Sequence, residues 1–92
     1  MSYAKKEVML TLRENPDGYK DGHIWWQESD GSPAYADLNA SDFTEDLTIS
    51  QRANVLAPVI SAIFQRSVKV KLYRADRSNL REAEEFIFKA AT

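Results

Sequence analysis

Residues 7 to 14, EVMLTLRE, alternate in character, with Val8, Leu10 and Leu12 on one side and Met9, Thr11 and Arg13 on the other. That period of two predicts a half-buried strand. The next stretch, NPDGYKDG, puts one proline and two glycines into eight residues and predicts a loop or wide hairpin turn. A second strand is expected over HIWWQE, 23–28, followed by the turn SDGS, whose Asp30-Gly31 pair is a strong short hairpin signal. A short third strand covers roughly Ala34 to Leu38.

Beyond the polar, acidic connection NASDFTED, the period lengthens to 3.6. Thr48 and Gln51 have the spacing of a capping box, and Val55, Leu56, Val59, Ile60, Ile63 and Phe64 then share one stripe. Pro58 lacks a backbone donor and crowds the carbonyl four residues back, so a kink or break is expected near 54–57. VKVKLYR, 68–74, returns to alternation, with Val68, Val70 and Leu72 inward and Lys69, Lys71 and Tyr73 outward. A last helix is expected from a cap at Ser78, with Leu80, Ala83, Ile87 and Ala90 spaced for burial. Phe86 and Phe88 are more than that stripe can bury, and a short terminal strand would accommodate them instead.

The order β-β-β-α-β-α predicts an α+β domain with an antiparallel sheet of about four strands and two helices on one face. The inward set is then Val8, Leu10, Leu12, Ile24, Trp26, Ala36, Leu38, Val68, Val70 and Leu72. The outward set includes Met9, Thr11, Arg13, His23, Trp25, Gln27, Tyr35, Asp37, Lys69, Lys71 and Tyr73. Neighbouring strand residues point to opposite faces, so the chain's two tryptophans, 25 and 26, must have different jobs. Trp26 belongs with the core, and Trp25 lies beside cations on the wet side.

Composition limits what else the chain can be. Its 92 residues, 43% hydrophobic and 28% charged, fit one compact domain over 1–92. The core is modest at this size, and large side chains left outside are informative. With no cysteine and one histidine, disulfides, thiolate zinc sites and multi-histidine metal sites are excluded, and neither a metal nor another cofactor is expected. No apolar run reaches the length of a membrane span, and MSYAKKEVML lacks the apolar core of a signal peptide. A cytoplasmic protein without membrane contact is expected. The net charge of −2 hides a division: residues 1–46 carry four basic and ten acidic residues, and 47–92 carry eight basic and four acidic.

No motif names a reaction. Asp17 with Asp21, or Glu84 with Glu85, lack a calcium-loop or paired-carboxylate frame, and no nucleophile elbow or phosphate-binding glycine loop is present. Neither a catalytic residue nor a small-molecule substrate is expected. The candidate binding surface is Trp25, Tyr35 and Tyr73 beside Lys69 and Lys71, continued by Arg74 and Arg77. Rings of this kind stack on bases and cations meet phosphates, which supports a single-stranded nucleic-acid-binding accessory protein as an alternative. The overall negative charge, a strand order unlike the common RNA-binding module and the absence of a glycine-aromatic motif weigh against it. Covered or simply solvated side chains are the plain alternative. Asp37, Asp42, Glu45 and Asp46 form an acidic run best matched to the first helix's N-terminal dipole.

In size, lack of cysteine and sheet-plus-helices plan, the whole chain resembles the small phage-encoded inhibitors of the anti-CRISPR type, which share no common motif. That resemblance implies a non-enzymatic inhibitor acting in the host cytoplasm. Its partner would be a host protein or ribonucleoprotein complex, with contact to guide RNA left open, and its effect would be to block nucleic-acid recruitment.

Overall fold

A computed structural model of the chain describes residues 7–15, 19–38, 47–76 and 79–89, and gives the side chains of all these except 75, 76 and 79–83. The elements are β1 (Val8–Glu14), β2 (Lys20–Gln27), β3 (Pro33–Leu38), α1 (Ile49–Phe64), β4 (Val68–Asp76) and β5 (Asn79–Phe88). They make one five-stranded sheet in the order β3-β2-β1-β4-β5, with α1 on one face.

The α+β class holds, but the sheet is mixed where an antiparallel one was expected. β1 pairs β2 antiparallel on one side and β4 parallel on the other, and the outer pairs β2–β3 and β4–β5 are antiparallel. Parallel neighbours need a long connection. Here β2, β3 and α1 supply it, and α1 carries the chain back across the sheet before β4 begins.

The second predicted helix is instead β5. Its partner β4 is the reason: Val68 pairs with Phe88 and Val70 with Phe86. Phe86 and Phe88 thereby reach the helix side and pack against the core, while Ile87 turns to the opposite face. A helical stripe would have left the phenylalanines without a place. The glutamates that precede them favour helix intrinsically, but in the strand they lie along the cation-rich β4, and Glu85 reaches Lys69 at 3.2 Å. Ser78, the expected cap of that helix, lies outside the described residues.

Thr48 starts α1 as its spacing predicts. The Gln51 amide donates to Thr48 Oγ1 (3.1 Å) and the Thr48 amide donates to Gln51 Oε1 (2.9 Å), so two donors left over at the helix start are satisfied. At the other end Gln65 takes a left-handed conformation, φ 55°, and its N–H donates to the Ser61 carbonyl at 2.7 Å. Of the kink or break expected near 54–57, the break does not occur: the helix is continuous through Pro58. Pro58 and Asn54, whose carbonyl loses its partner, both lie on the exposed side, where that acceptor is not trapped in the core.

The buried stripe of α1 is also displaced from the expected one. Ile49, Ala53, Ala57, Ile60 and Ser61 face the sheet, Leu56 and Phe64 flank them, and Val55, Val59 and Ile63 are exposed. Alanines at the centre of the contact let the helix lie close over β1 and β4. The fully buried residues there are Val8, Leu10 and Leu12 on β1 and Val68, Val70 and Leu72 on β4. Ile24, Trp26 and Leu38 pack against this core from β2 and β3. Ala36, expected inside, is exposed, because α1 packs chiefly on β1 and β4 and not on the edge strand β3.

Gly22 is needed on β2 because β1 runs close beside it. It pairs with Leu12, and a Cβ there would lie 2.8 Å from Leu12 Cδ2 and closer still to the Thr11 carbonyl oxygen. Backbone cannot give way as a flexible side-chain end can. Gly22→Ala is therefore expected to lower the unfolding free energy by about 1–3 kcal/mol, the usual penalty of overpacking. Urea denaturation checks this, and an unchanged midpoint would contradict the close approach.

Candidate interaction face

The face of the sheet opposite α1 is built in cross-strand rows. Tyr35, Trp25, Met9, Lys69 and Ile87 are successive partners across all five strands. The next row is Asp37, His23, Thr11, Lys71 and Glu85, and beyond it lie Asp21, Arg13 and Tyr73. No described element covers these rows. Tyr35 is 69% exposed and Ile87 51%, while Thr11, at the centre of the sheet, is only 8% exposed. Residues of this kind in adjacent rows shield the middle and leave the two ends of the apolar row accessible.

Of the expected contact residues, the fold brings together Trp25, Tyr35, Lys69, Lys71 and Tyr73 on this face. It sends Arg74 to the other side of the sheet, one residue out of phase with Tyr73. There Arg74 Nη2 donates to Ser50 Oγ (3.0 Å), and Ser50 Oγ donates to Glu84 Oε2 (3.1 Å), tying the start of α1 to β4 and β5. Arg74 is therefore a helix anchor here and not part of the open face. Arg77 lies outside the described residues.

Charge on the open face is balanced where the sequence shows a basic excess. Arg13 Nε donates to Asp21 Oδ1 at 2.8 Å, and its Nη2 pairs with Asp21 Oδ2. The hydrogen bond to Asp21 also raises the guanidinium's pKa above its ordinary value. Lys69 pairs with Glu85, and Lys71 stands opposite Glu85 in the register. Among the described side chains of this face, Arg13, Lys69 and Lys71 are thus matched in number by Asp21, Asp37 and Glu85, with Asp37 apart from them on the edge strand β3 opposite His23. β2 and β5 supply the neutralising carboxylates, and neither pairing is visible before strand register is known.

No family model, curated protein or solved structure matches this chain. The open face therefore has to be read from its own chemistry. Among the described residues no group of histidine, cysteine, aspartate or glutamate is placed to hold a metal ion, and no helix is long and apolar enough to cross a membrane.

The two tryptophans divide as alternation predicts. Trp26 packs on the core, its ring 5.1 Å from that of Phe64 and tilted 48°, and its Nε1 donates to Glu28 Oε1 at 3.1 Å. Nearby, Arg66 Nη1 donates to the Gln27 carbonyl at 2.6 Å, so the end of α1 is fastened to β2 twice. Trp25 is half-buried on the open face between Met9 and Tyr35. Sequence reasoning missed Ile87 and Glu85 as members of this face. The alternation of Phe86, Ile87 and Phe88 is the signal that could have found Ile87.

The turn that aligns β2 with β3 is closed by Asp30. Its Oδ1 accepts from the Ser32 amide (2.9 Å) and the Ser32 hydroxyl (2.6 Å), Gly31 takes φ 92°, and the Gly31 N–H donates to the Glu28 carbonyl (2.9 Å). The Ser32 hydroxyl and amide hold the Asp30 carboxyl below the ordinary carboxylate pKa. A depressed folded-state pKa means that this contribution is present at neutral pH and is lost as pH falls through the folded value.

Two outcomes follow for this face. Trp26→Ala is expected to cost about 2–4 kcal/mol in chemical denaturation, and Trp25→Ala only about 1 kcal/mol, mainly its cross-strand pairing with Tyr35; equal losses would contradict their assignment to opposite faces. In an acid titration by NMR, the Ser32 amide is expected to shift with a midpoint below that of a free aspartate side chain. A midpoint at or above that value would show that the Asp30 contacts do not hold the carboxylate.

Proposed function

We propose that this chain is a non-catalytic binding module whose open sheet face docks on a protein or ribonucleoprotein. It acts as a small inhibitor that keeps nucleic acid from being recruited there. The observation that carries the binding role is the row Tyr35, Trp25, Met9, Lys69 and Ile87, running across every strand with no described element over it. In a 92-residue chain large apolar side chains are needed inside, and this row leaves Tyr35 and Ile87 exposed at its two ends with Trp25 and Met9 half-buried between them, apolar surface that a partner can cover. Aromatic residues and methionine are enriched at the centres of protein interfaces, and paired charges such as Arg13–Asp21 and Lys69–Glu85 suit a polar rim.

The balance of charge on this face favours a protein-bearing partner over free nucleic acid, since phosphate binding draws its affinity from unneutralised cations. The inhibitory role and the link to nucleic-acid recruitment rest on the resemblance to phage-encoded inhibitors. Neither a cofactor nor a membrane enters the mechanism, which is steric occupation of the partner.

The double variant Trp25→Ala/Tyr35→Ala is expected to keep its circular dichroism spectrum and to lose the partner that the unaltered protein retains from a lysate of its host, by at least about tenfold in affinity. Undiminished retention would remove the open face from the interaction. A single-stranded oligonucleotide titrated alone at low salt is expected to leave the tryptophan emission unchanged. A saturable change that weakens steeply with added salt would point to the accessory nucleic-acid-binding role in its place.

A further inference from the structure

We infer that the outer face of α1 is a dimer interface on which a second copy of this chain packs, helix against helix. The starting observation is a helix with one charged residue, Arg52, among its sixteen, in a chain that is 28% charged. Its exposed positions from 54 to 63 are Asn54, Val55, Pro58, Val59, Ala62 and Ile63. Val55 and Val59 are each 52% exposed and Ile63 is 70% exposed. The sheet-facing side is already filled by Ile49, Ala53, Ala57 and Ile60. A surface helix ordinarily turns charged and polar residues outward, and one that is apolar on both sides is buried on both.

Charge decides what covers it. A charged partner surface would lose its hydration against this face and find nothing to pair with. The open sheet face of another copy is such a surface, with Lys69 in its aromatic row and both acids and bases in the two rows beyond. The α1 face of a second copy carries no charge, matches in length and is always present at the same concentration. Val55, Val59 and Ile63, four residues apart, form one ridge, and two such ridges interdigitate at a crossing angle of about −50°. An isologous pair places Val59, the middle of the ridge, nearest the two-fold axis.

Size sets the strength. Sixteen residues of helix extend about 24 Å, and a face of that length and one helix wide buries roughly 400–500 Å² per copy, below the roughly 800 Å² of a standard interface. The dimer is therefore expected to be weak and to form only at high protein concentration. Its two helices lie inside and its two open sheet faces point outward in opposite directions. If those faces bind as proposed above, the dimer is bivalent; dimerisation itself does not depend on that proposal.

Sedimentation velocity on the full chain, from about 5 to 500 μM, tests this directly. The weight-average mass is expected to rise from the 10.5 kDa of the monomer toward twice that value. Val59→Glu and Val59→Lys each place like charges across the axis and are expected to weaken the dimer at least about tenfold. Both residues are better helix formers than valine, and circular dichroism verifies that the fold is kept. An equimolar mixture of the two variants is expected to recover the dimer, and Ile63→Gln to weaken it about threefold or more without adding charge. A wild type that stays monomeric throughout, a dimer that survives both charge variants, or a mixture that fails to reassociate would each overturn the inference.

Discussion

β1 and β4 lie side by side and parallel, and their inward residues, Val8, Leu10 and Leu12 beside Val68, Val70 and Leu72, are closed to solvent. Two such strands cannot be joined by a tight turn. The chain leaves β1 through the hairpins of β2 and β3, then returns over the sheet as α1. The helix can cover only one face, and the burial of six aliphatic side chains under Ile49, Ala53, Ala57 and Ile60 fixes which one. The open face is thus a consequence of how the core is closed. One helix serves five strands, and the second face has no element to cover it among the described residues.

That arrangement explains why adjacent tryptophans are compatible with one fold. On β2, Trp26 meets Phe64 at the end of α1, where Arg66 also binds the Gln27 carbonyl. These contacts hold the β2–β3 hairpin to the helix at the sheet's outer side, beyond the part that α1 covers directly. Trp25 is carried to the opposite side by the same backbone. Its position is set by the register of β2 against β1, which Gly22 allows by letting the β1 backbone come close.

Much of this was legible in the pattern of residues because it depends on local periodicity. Alternation located β1, β2, β3 and β4 and their inward sides, and the Thr48–Gln51 spacing located the start of α1. The parallel pairing was not legible, since nothing in Val8–Glu14 or Val68–Asp76 specifies which strand lies alongside or in which direction. The misassignment of β5 had a different cause: glutamate and alanine favour helix, and only pairing with β4 makes Phe86 and Phe88 useful to the core. The stripe on α1 was displaced because large aliphatic residues were expected to face inward. A helix lying close over a sheet is better served by Ala53 and Ala57, leaving Val55, Val59 and Ile63 outside. On the open face, Trp25, Tyr35, Lys69, Lys71 and Tyr73 were recognisable from alternation alone, but Arg74 was not separable from them without knowing where the strand's phase and the helix start coincide.

The same missing register concealed the electrostatics. Counted along the chain, Arg66 to Arg81 is a strongly basic stretch, and counted across the sheet its outward lysines face Glu85 while Arg13 faces Asp21. Exposed pairs of this kind contribute little to stability, so their main effect is on what the surface can recognise. Neutralised cations no longer dominate the field above the sheet, and the aromatic and aliphatic row becomes the feature that distinguishes this face from ordinary solvated strands. The outer side of α1 reaches low charge by another route, through the absence of ionisable residues rather than their pairing. A face with paired charges can discriminate between partners by matching or mismatching them, whereas an uncharged helix face can select only by shape and apolarity. The molecule therefore presents two surfaces with different physical character, one with paired charges beside its aromatic residues and the other an uncharged aliphatic ridge.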